Sequence, residues 1–175
     1  MRRGIGFFFA AFMAVFAVAI GNTPRAFAYS ALEMEFVPFD GFRPGTIVIR
    51  TTERHLYLVI GQGQAIRYPI AVGKPGKEWA GDTIIARKVE NPTWEAPAIV
   101  HHDHPELPNL IGPGPSNPLG PRALVLAADE YAIHGTNHPE TIGTKASYGC
   151  IRMYNKHIMD LFQRVSVGTP VVVEQ

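Results

Sequence analysis

The chain has 175 residues, with 16 Lys and Arg against 15 Asp and Glu, one cysteine, and 46% apolar side chains. The near-neutral balance, with no basic run, leaves nucleic acid without an electrostatic footing. A single cysteine excludes an internal disulfide.

Residues 1–28 have the layout of a secretory signal peptide. Arg2 and Arg3 give a basic start, Phe7 to Ile20 are fourteen uninterrupted apolar residues, and Ala26-Phe27-Ala28 is a small-x-small cleavage site. The uncharged run from Gly4 also approaches the length of a bilayer span, about 20 residues, so an uncleaved membrane anchor over 4–21 is the alternative. A twin-arginine signal is set aside, because no Ser/Thr precedes the pair and no Phe-Leu-Lys follows it. Cleavage leaves 147 residues from Tyr29, with 13 basic and 15 acidic side chains, net −2. That length suits one domain with a full-sized core. In an exported chain, a lone thiol is a liability unless it is used.

Residues 29–45 contain two prolines and no clear period. They read as a lead-in segment that packs on the domain or serves as a short linker, and the domain itself spans 46–175. Thr46 to Thr51 and His55 to Ile60 are strand-like. Ala65 to Val72 resumes after the turn Gly61-Gln62-Gly63-Gln64, which predicts a hairpin. A loop over 73–81 leads to a strand at 82–89. Residues 91–121 carry Pro92, Pro97, Pro105, Pro108, Pro113, Pro115 and Pro118 with Gly112, Gly114 and Gly120. At that density no regular element is expected. A loop this long is usually functional, often a lid or binding surface. Arg122 to Ala128 reads as a buried strand, and Tyr131 to Ile133 as a short strand running into His134. Ile158, Leu161, Phe162 and Val165 follow helical spacing, with Asn155 as the expected N-cap and Gly168 past the end. A last strand covers 170–173. The sum is a mostly β domain, sandwich or barrel, with one amphipathic helix after the cysteine.

The chemistry concentrates between His134 and Met153. Cys150 follows Ser147-Tyr148-Gly149, and His134 lies sixteen positions upstream, followed by Gly135. A thiol attacks as thiolate, and an imidazole within hydrogen-bond reach is a common way to generate one. Backbone N–H groups in the turn before Cys150 can stabilise a thiolate or a developing oxyanion, and Gly149 admits a close approach. A third group must orient the imidazole. Asp129, Glu130 and a backbone carbonyl all remain open for that role. The bland alternative is a core cysteine beside a satisfied histidine.

The ordered set of motifs resembles the L,D-transpeptidase catalytic domain (YkuD-like) family. His134-Gly135-Thr136, Ile142-Gly143 and Ser147-Tyr148-Gly149-Cys150-Ile151-Arg152-Met153 match its signature. Val72 to Gly76, Pro92-Thr93-Trp94 with Pro97, Asn117 to Gly120 and Val167 to Val171 follow the family order. The resemblance implies a β-sandwich-like fold with the cysteine at one end, and activity on peptidoglycan stem peptides. It implies a thiolate attack at the L-centre of diaminopimelate in a tetrapeptide stem, with loss of D-Ala. An amine then resolves the acyl-enzyme, giving a 3-3 cross-link, an attached lipoprotein or an exchanged D-amino acid. Water as acceptor makes a carboxypeptidase. Such a protein belongs in the periplasm or cell envelope, anchored to the inner membrane if residues 1–28 are retained. Carried over by position, Cys150 is the nucleophile, His134 the base and the Gly135 carbonyl the group orienting it. Gly149, Tyr148, Ser147 and Arg152 fall at oxyanion or substrate-binding positions, with a salt-bridge role for Arg152 equally open. Carbapenems are expected to acylate Cys150.

Two departures stand out. Tyr148 replaces the usual histidine two positions before the cysteine, and a phenol with a pKa near 10 does not titrate like imidazole. Residues 77–86 lack the usual Thr-Pro-x-Gly turn, so a differently shaped loop is expected there. His101-His102-Asp103-His104 could be read with His134 and Cys150 as zinc ligands. Zinc sites favour spaced pairs on defined elements, so the run reads as a surface, and no metal or cofactor is expected. The non-enzyme alternative is a wall-binding module that kept the fold and lost the reaction. A resting thiolate–imidazolium pair would give a bell-shaped pH–rate profile.

Overall fold

The computed structural model describes residues 33–128 and 131–175. The expected signal peptide or anchor over 1–28 lies outside the described residues, as do Asp129 and Glu130. Among the described residues no helix is long and apolar enough to cross a membrane.

The predicted hairpin is β3 (His55–Gly61) and β4 (Gln64–Gly73), paired antiparallel. Its turn carries positive φ at both Gln62 (55°) and Gly63 (67°). That is the backbone twist of a two-residue hairpin loop, and it explains why polar and glycine residues sit there. β2 (Ile47–Arg50) flanks β3, and β12 (Pro170–Glu174) pairs parallel with β2 and antiparallel with β5 (Gly81–Glu90). These strands form one layer. The second layer is β8 (Arg122–Leu126), β9 (Ala132–His134) and β11 (Ile151–Met153). β10 (Lys145–Ser147) runs parallel to the end of β4 and leads the chain into β11. β4 and β5 run through both layers and form the corners, with a register shift in β5 between Ile85 and Arg87. Strands that change sheet at a bulge are the usual way to make such corners. The architecture is therefore the expected mostly β, sandwich-like fold, with its two layers joined through shared strands.

The core lies between the layers. Ile47, Ile49, Leu56, Leu58, Ile66, Ile70, Leu124, Ile133, Ile151 and Met153 meet there. The helix α2 (Asn155–Arg164) adds Ile158 and Leu161, followed by Val165 just past its end. Lys88 Nζ donates to the Phe162 and Val165 carbonyls at 2.5 and 2.6 Å, satisfying the helix C-terminus with a cation. The helix starts one residue earlier than its expected cap implies. Tyr154 is the N-cap, without a side-chain bond, and Asn155 is the first helical residue. Its Oδ1 instead accepts from the Thr136 amide at 2.8 Å.

The lead-in segment packs on the domain. β1 (Glu35–Pro38) pairs with β4, an extra strand that the sequence pattern does not show. Phe39 stacks on Tyr57 at 4.5 Å and joins Val48, Val59 and Ala65 in a second apolar cluster outside the first layer. Both faces of β2 and β3 are thus covered, which is why those strands read as apolar runs and not as alternating ones.

Residues 91–121 also hold more structure than their composition suggests. β6 (Trp94–Glu95) pairs with β7 (Leu110–Ile111), and α1 (Ala98–Asp103) lies between them. The helix avoids the prolines, starting just after Pro97 and ending before Pro105. Asn117 clamps the base of the segment. Fully buried, it donates through Nδ2 to the carbonyls of Pro92, Ile111 and Gly112 at 2.8–3.0 Å, and its Oδ1 accepts from the Leu119 amide. Asn117→Ala strands these backbone groups, each worth about 1–3 kcal/mol when buried and unpaired. Urea denaturation should show a loss of about 3 kcal/mol, and limited proteolysis should show earliest cutting within 91–121. A variant with parent stability would show the clamp to be dispensable.

Candidate active site

The site is built on two neighbouring strands of the second layer. β9 and β11 run parallel, with Ile133 opposite Ile151 and His134 opposite Arg152. The two isoleucines point into the core at 0% and 1% exposure. Side chains alternate along a strand, so His134 and Arg152 point to the opposite face. Cys150, one step before Ile151, joins them there. A backbone hydrogen bond from Ala132 reaches Cys150, placing the thiol beside β9. Cys150 and His134 thus stand diagonally across the pair, a separation of roughly 7–8 Å between such backbone positions.

His134 is 4% exposed. Its Nδ1 lies 2.6 Å from the Gly135 carbonyl oxygen. A carbonyl only accepts, so Nδ1 carries the proton and Nε2 is left as the acceptor. Burial, opposed only partly by that bond, lowers the His134 pKa to about 4, and the Arg152 guanidinium pushes the same way. Burial also pushes the Cys150 thiol up, with the Ala132 bond and Arg152 opposing. The residue retains some solvent exposure, but the packing around its sulfur dominates. Both shifts disfavour the charged form of each group. Burial of both groups thus works against the resting thiolate–imidazolium expected from the motif.

Gly135 has a second reason to be glycine. A Cβ there would lie 2.4 Å from Asn155 Oδ1 and 3.0 Å from Pro121 Cδ. Asn155, holding the Thr136 amide, fixes the chain just after the orienting carbonyl.

The turn before Cys150 is braced from several sides. Ser147 is 2% exposed, and its Oγ donates to the Cys150 carbonyl at 2.5 Å and accepts from the Gly149 amide at 3.1 Å. The Gly149 N–H is thus already engaged, and Ser147 shapes the turn. Gly149 adopts φ +120°, and a Cβ there would sit 2.4 Å from the Tyr131 ring. Tyr131 in turn stacks on Trp79 at 4.8 Å, and Trp79 Nε1 donates to the Gly149 carbonyl at 2.9 Å. The 73–80 loop therefore supports the turn before Cys150 through Trp79. Neither aromatic stands out among the sequence motifs. An indole in a glycine-rich loop, whose N–H needs a partner, is the one local signal for this brace.

Arg152 is partly buried, and among the described residues it has no carboxylate within 4 Å; its charge acts on Cys150, His134 and, more weakly, Glu140. Tyr148 does not present a free phenol. Its hydroxyl donates to Asp103 Oδ2 at 2.7 Å, and Lys74 Nζ lies 3.6 Å from its ring centroid. His101, His102 and His104 are exposed on or beside α1, and no group of metal-ligating side chains occurs among the described residues.

The sandwich-like fold sets His134 and Arg152 opposite each other on adjacent strands, with Cys150 one residue before the second of them. Residues 44–173 match the L,D-transpeptidase catalytic domain model, and the chain belongs to that family. It is 40% identical over 134 residues to the probable L,D-transpeptidase YbiS of Escherichia coli K12, covering 71% of this chain and 43% of YbiS. It is 33% identical over 159 residues to the probable L,D-transpeptidase ErfK/SrfK of the same organism, covering 86% of this chain and 50% of that protein. The chain thus spans about half the length of these relatives. The catalytic domain of an E. faecium L,D-transpeptidase, solved as its ertapenem acyl form, shares the fold at TM-score 0.57 and 22% identity. That match covers 77% of this chain and all of that one.

Proposed function

We propose that this protein is an exported L,D-transpeptidase acting on peptidoglycan stem peptides. The observation that carries the reading is the union of Cys150, a tautomer-fixed His134 and Arg152 on one face of β9 and β11. Cys150 Sγ attacks the carbonyl of the L-centre of diaminopimelate while its proton passes to His134 Nε2. The tetrahedral intermediate collapses, the D-Ala nitrogen takes that proton, and a thioester remains. An acceptor amine then attacks the thioester, losing a proton to His134, and the thiol is restored. The Gly135 carbonyl supports the imidazolium that forms transiently. Arg152 is the cation that suits a carboxylate of the stem, and it favours the developing negative charge on sulfur. Export and residence in the periplasm or envelope rest on the layout of residues 1–28.

Incubation of the domain with tetrapeptide stems tests this. Release of D-Ala, with a cross-linked dimer by mass, is the expected result; a tripeptide alone would indicate hydrolysis by the same acyl-enzyme. Ertapenem should add one acyl group to Cys150 and none to Cys150→Ala. Turnover surviving in that variant would overturn the assignment.

A further inference from the structure

Three side chains from separate elements meet beside the nucleophile turn. Tyr148, two residues before Cys150, donates to Asp103 Oδ2 at 2.7 Å. The Asp103 carboxylate lies 3.5 Å from Lys74 Nζ, and that ammonium lies 3.6 Å from the Tyr148 ring centroid. The remaining Asp103 oxygen accepts from His102 Nδ1 at 3.1 Å when that nitrogen is protonated. Lys74 follows the end of β4, and its amide donates to the Ser147 carbonyl at 2.9 Å, so Lys74 and Tyr148 share a firm base. Asp103 ends α1, which belongs to the Pro-rich segment.

The leverage of this contact comes from what α1 lacks. None of its six residues is buried, and its N-cap makes no side-chain bond. Asn117 holds the base of the segment, not its tip. No apolar side chain of α1 is fully buried, and the clasp at Asp103 ties it to the nucleophile turn. A charge-assisted hydrogen bond with a cation beside it is the strong kind, and breaking it is worth roughly a tenfold change in a local opening equilibrium.

We infer that Asp103 is a positioning residue: acting through Tyr148 and Lys74, it holds α1 against the nucleophile turn and restricts which molecules reach Cys150. The inference rests on reading Cys150 as the reactive thiol. It gives Tyr148 a role different from the histidine usual at this position, as the post to which the segment is tied.

The test uses Asp103→Ala, Tyr148→Phe, the double variant and Lys74→Met, each checked for a parent-like thermal melt. Hydrogen exchange of the 98–104 amides should rise roughly tenfold in Asp103→Ala and in Tyr148→Phe, with little further rise in the double variant. Lys74→Met should give a smaller rise. Alkylation of Cys150 by a bulky maleimide should speed up roughly tenfold, while iodoacetamide changes less than about threefold. Unchanged exchange, additive effects of the two substitutions, or equal acceleration of both reagents would overturn the inference. Ertapenem acylation of the parent is the separate control. If it fails while exchange behaves as stated, the clasp stands and the nucleophile reading falls.

Discussion

His134→Gln is expected to slow acylation of Cys150 by ertapenem about 10²–10⁴-fold, the usual worth of a positioned general base. Intact-mass kinetics would measure it. Glutamine fills similar space and offers hydrogen bonds, but it cannot take the thiol proton. The pH dependence carries the finer information. A base works only when neutral, and the folded His134 pKa is lowered to about 4. The second-order acylation rate should therefore climb through about pH 4 and stay level from roughly pH 5.5 to 8, because the thiol, pushed up by burial, remains protonated there. A resting ion pair would behave differently, with an ascending limb set by thiolate formation. An acid limb near pH 6.5, the value for a solvated imidazole, would show that the site is wetter than its packing implies. A rate in His134→Gln equal to the parent would remove the histidine from the mechanism.

The second large effect is on stability in acid. His157 is 2% exposed, in the first turn of α2, and neither ring nitrogen has a hydrogen-bond partner. Its ring lies against Tyr68 at 5.7 Å and edge-on to Tyr154 at 5.4 Å. Burial, with the Lys156 charge adding to it, lowers its pKa to about 4, while Glu33 and Asp160 oppose. The unfolded chain takes up a proton near pH 6.5 and the folded chain resists until about pH 4. Stability is thus full above pH 6.5, falls as pH drops towards 4, and levels off below. His157 accounts for about 2 kcal/mol of loss at roughly pH 5, and His134 for a similar amount. His157→Phe keeps a ring between the two tyrosines and removes the protonation. At pH 7 the variant should be at least as stable as the parent, since two orphaned polar atoms are gone. At about pH 5 it should exceed the parent by a further ~2 kcal/mol, or about 4–8 °C in Tm. Parallel stability–pH curves for the two proteins would exclude His157 from the acid response.

Much of the site is legible in the order of the residues. The spacing of Cys150 and His134, the glycines beside them and the order of the surrounding motifs depend on local sequence alone. So do the hairpin over 55–73 and the helix containing Ile158, Leu161 and Phe162, because their periods and turn residues act over short range. The features that escape a sequence reading share a cause. β1 pairs with β4 about thirty residues away, so its own four residues carry little signal. Asn155 looks like a cap because Asn often is one; a distant Thr136 amide claims its oxygen instead. The short elements in 91–121 exist because Asn117, a single buried amide, satisfies the backbone that the prolines leave open.

By itself, the sequence determined the family and the strand-rich architecture and singled out Cys150 and His134 as the candidate pair, since those rest on residue identity and on local period. Only the tertiary structure decided which way the pKa of each group is pushed, because burial is a property of what packs around His134 and Cys150. It alone also joined Tyr148 to Asp103 and Lys74, and Trp79 to Gly149. Those partners lie 45 to 74 positions apart in the chain, and nothing local to any of them names the other.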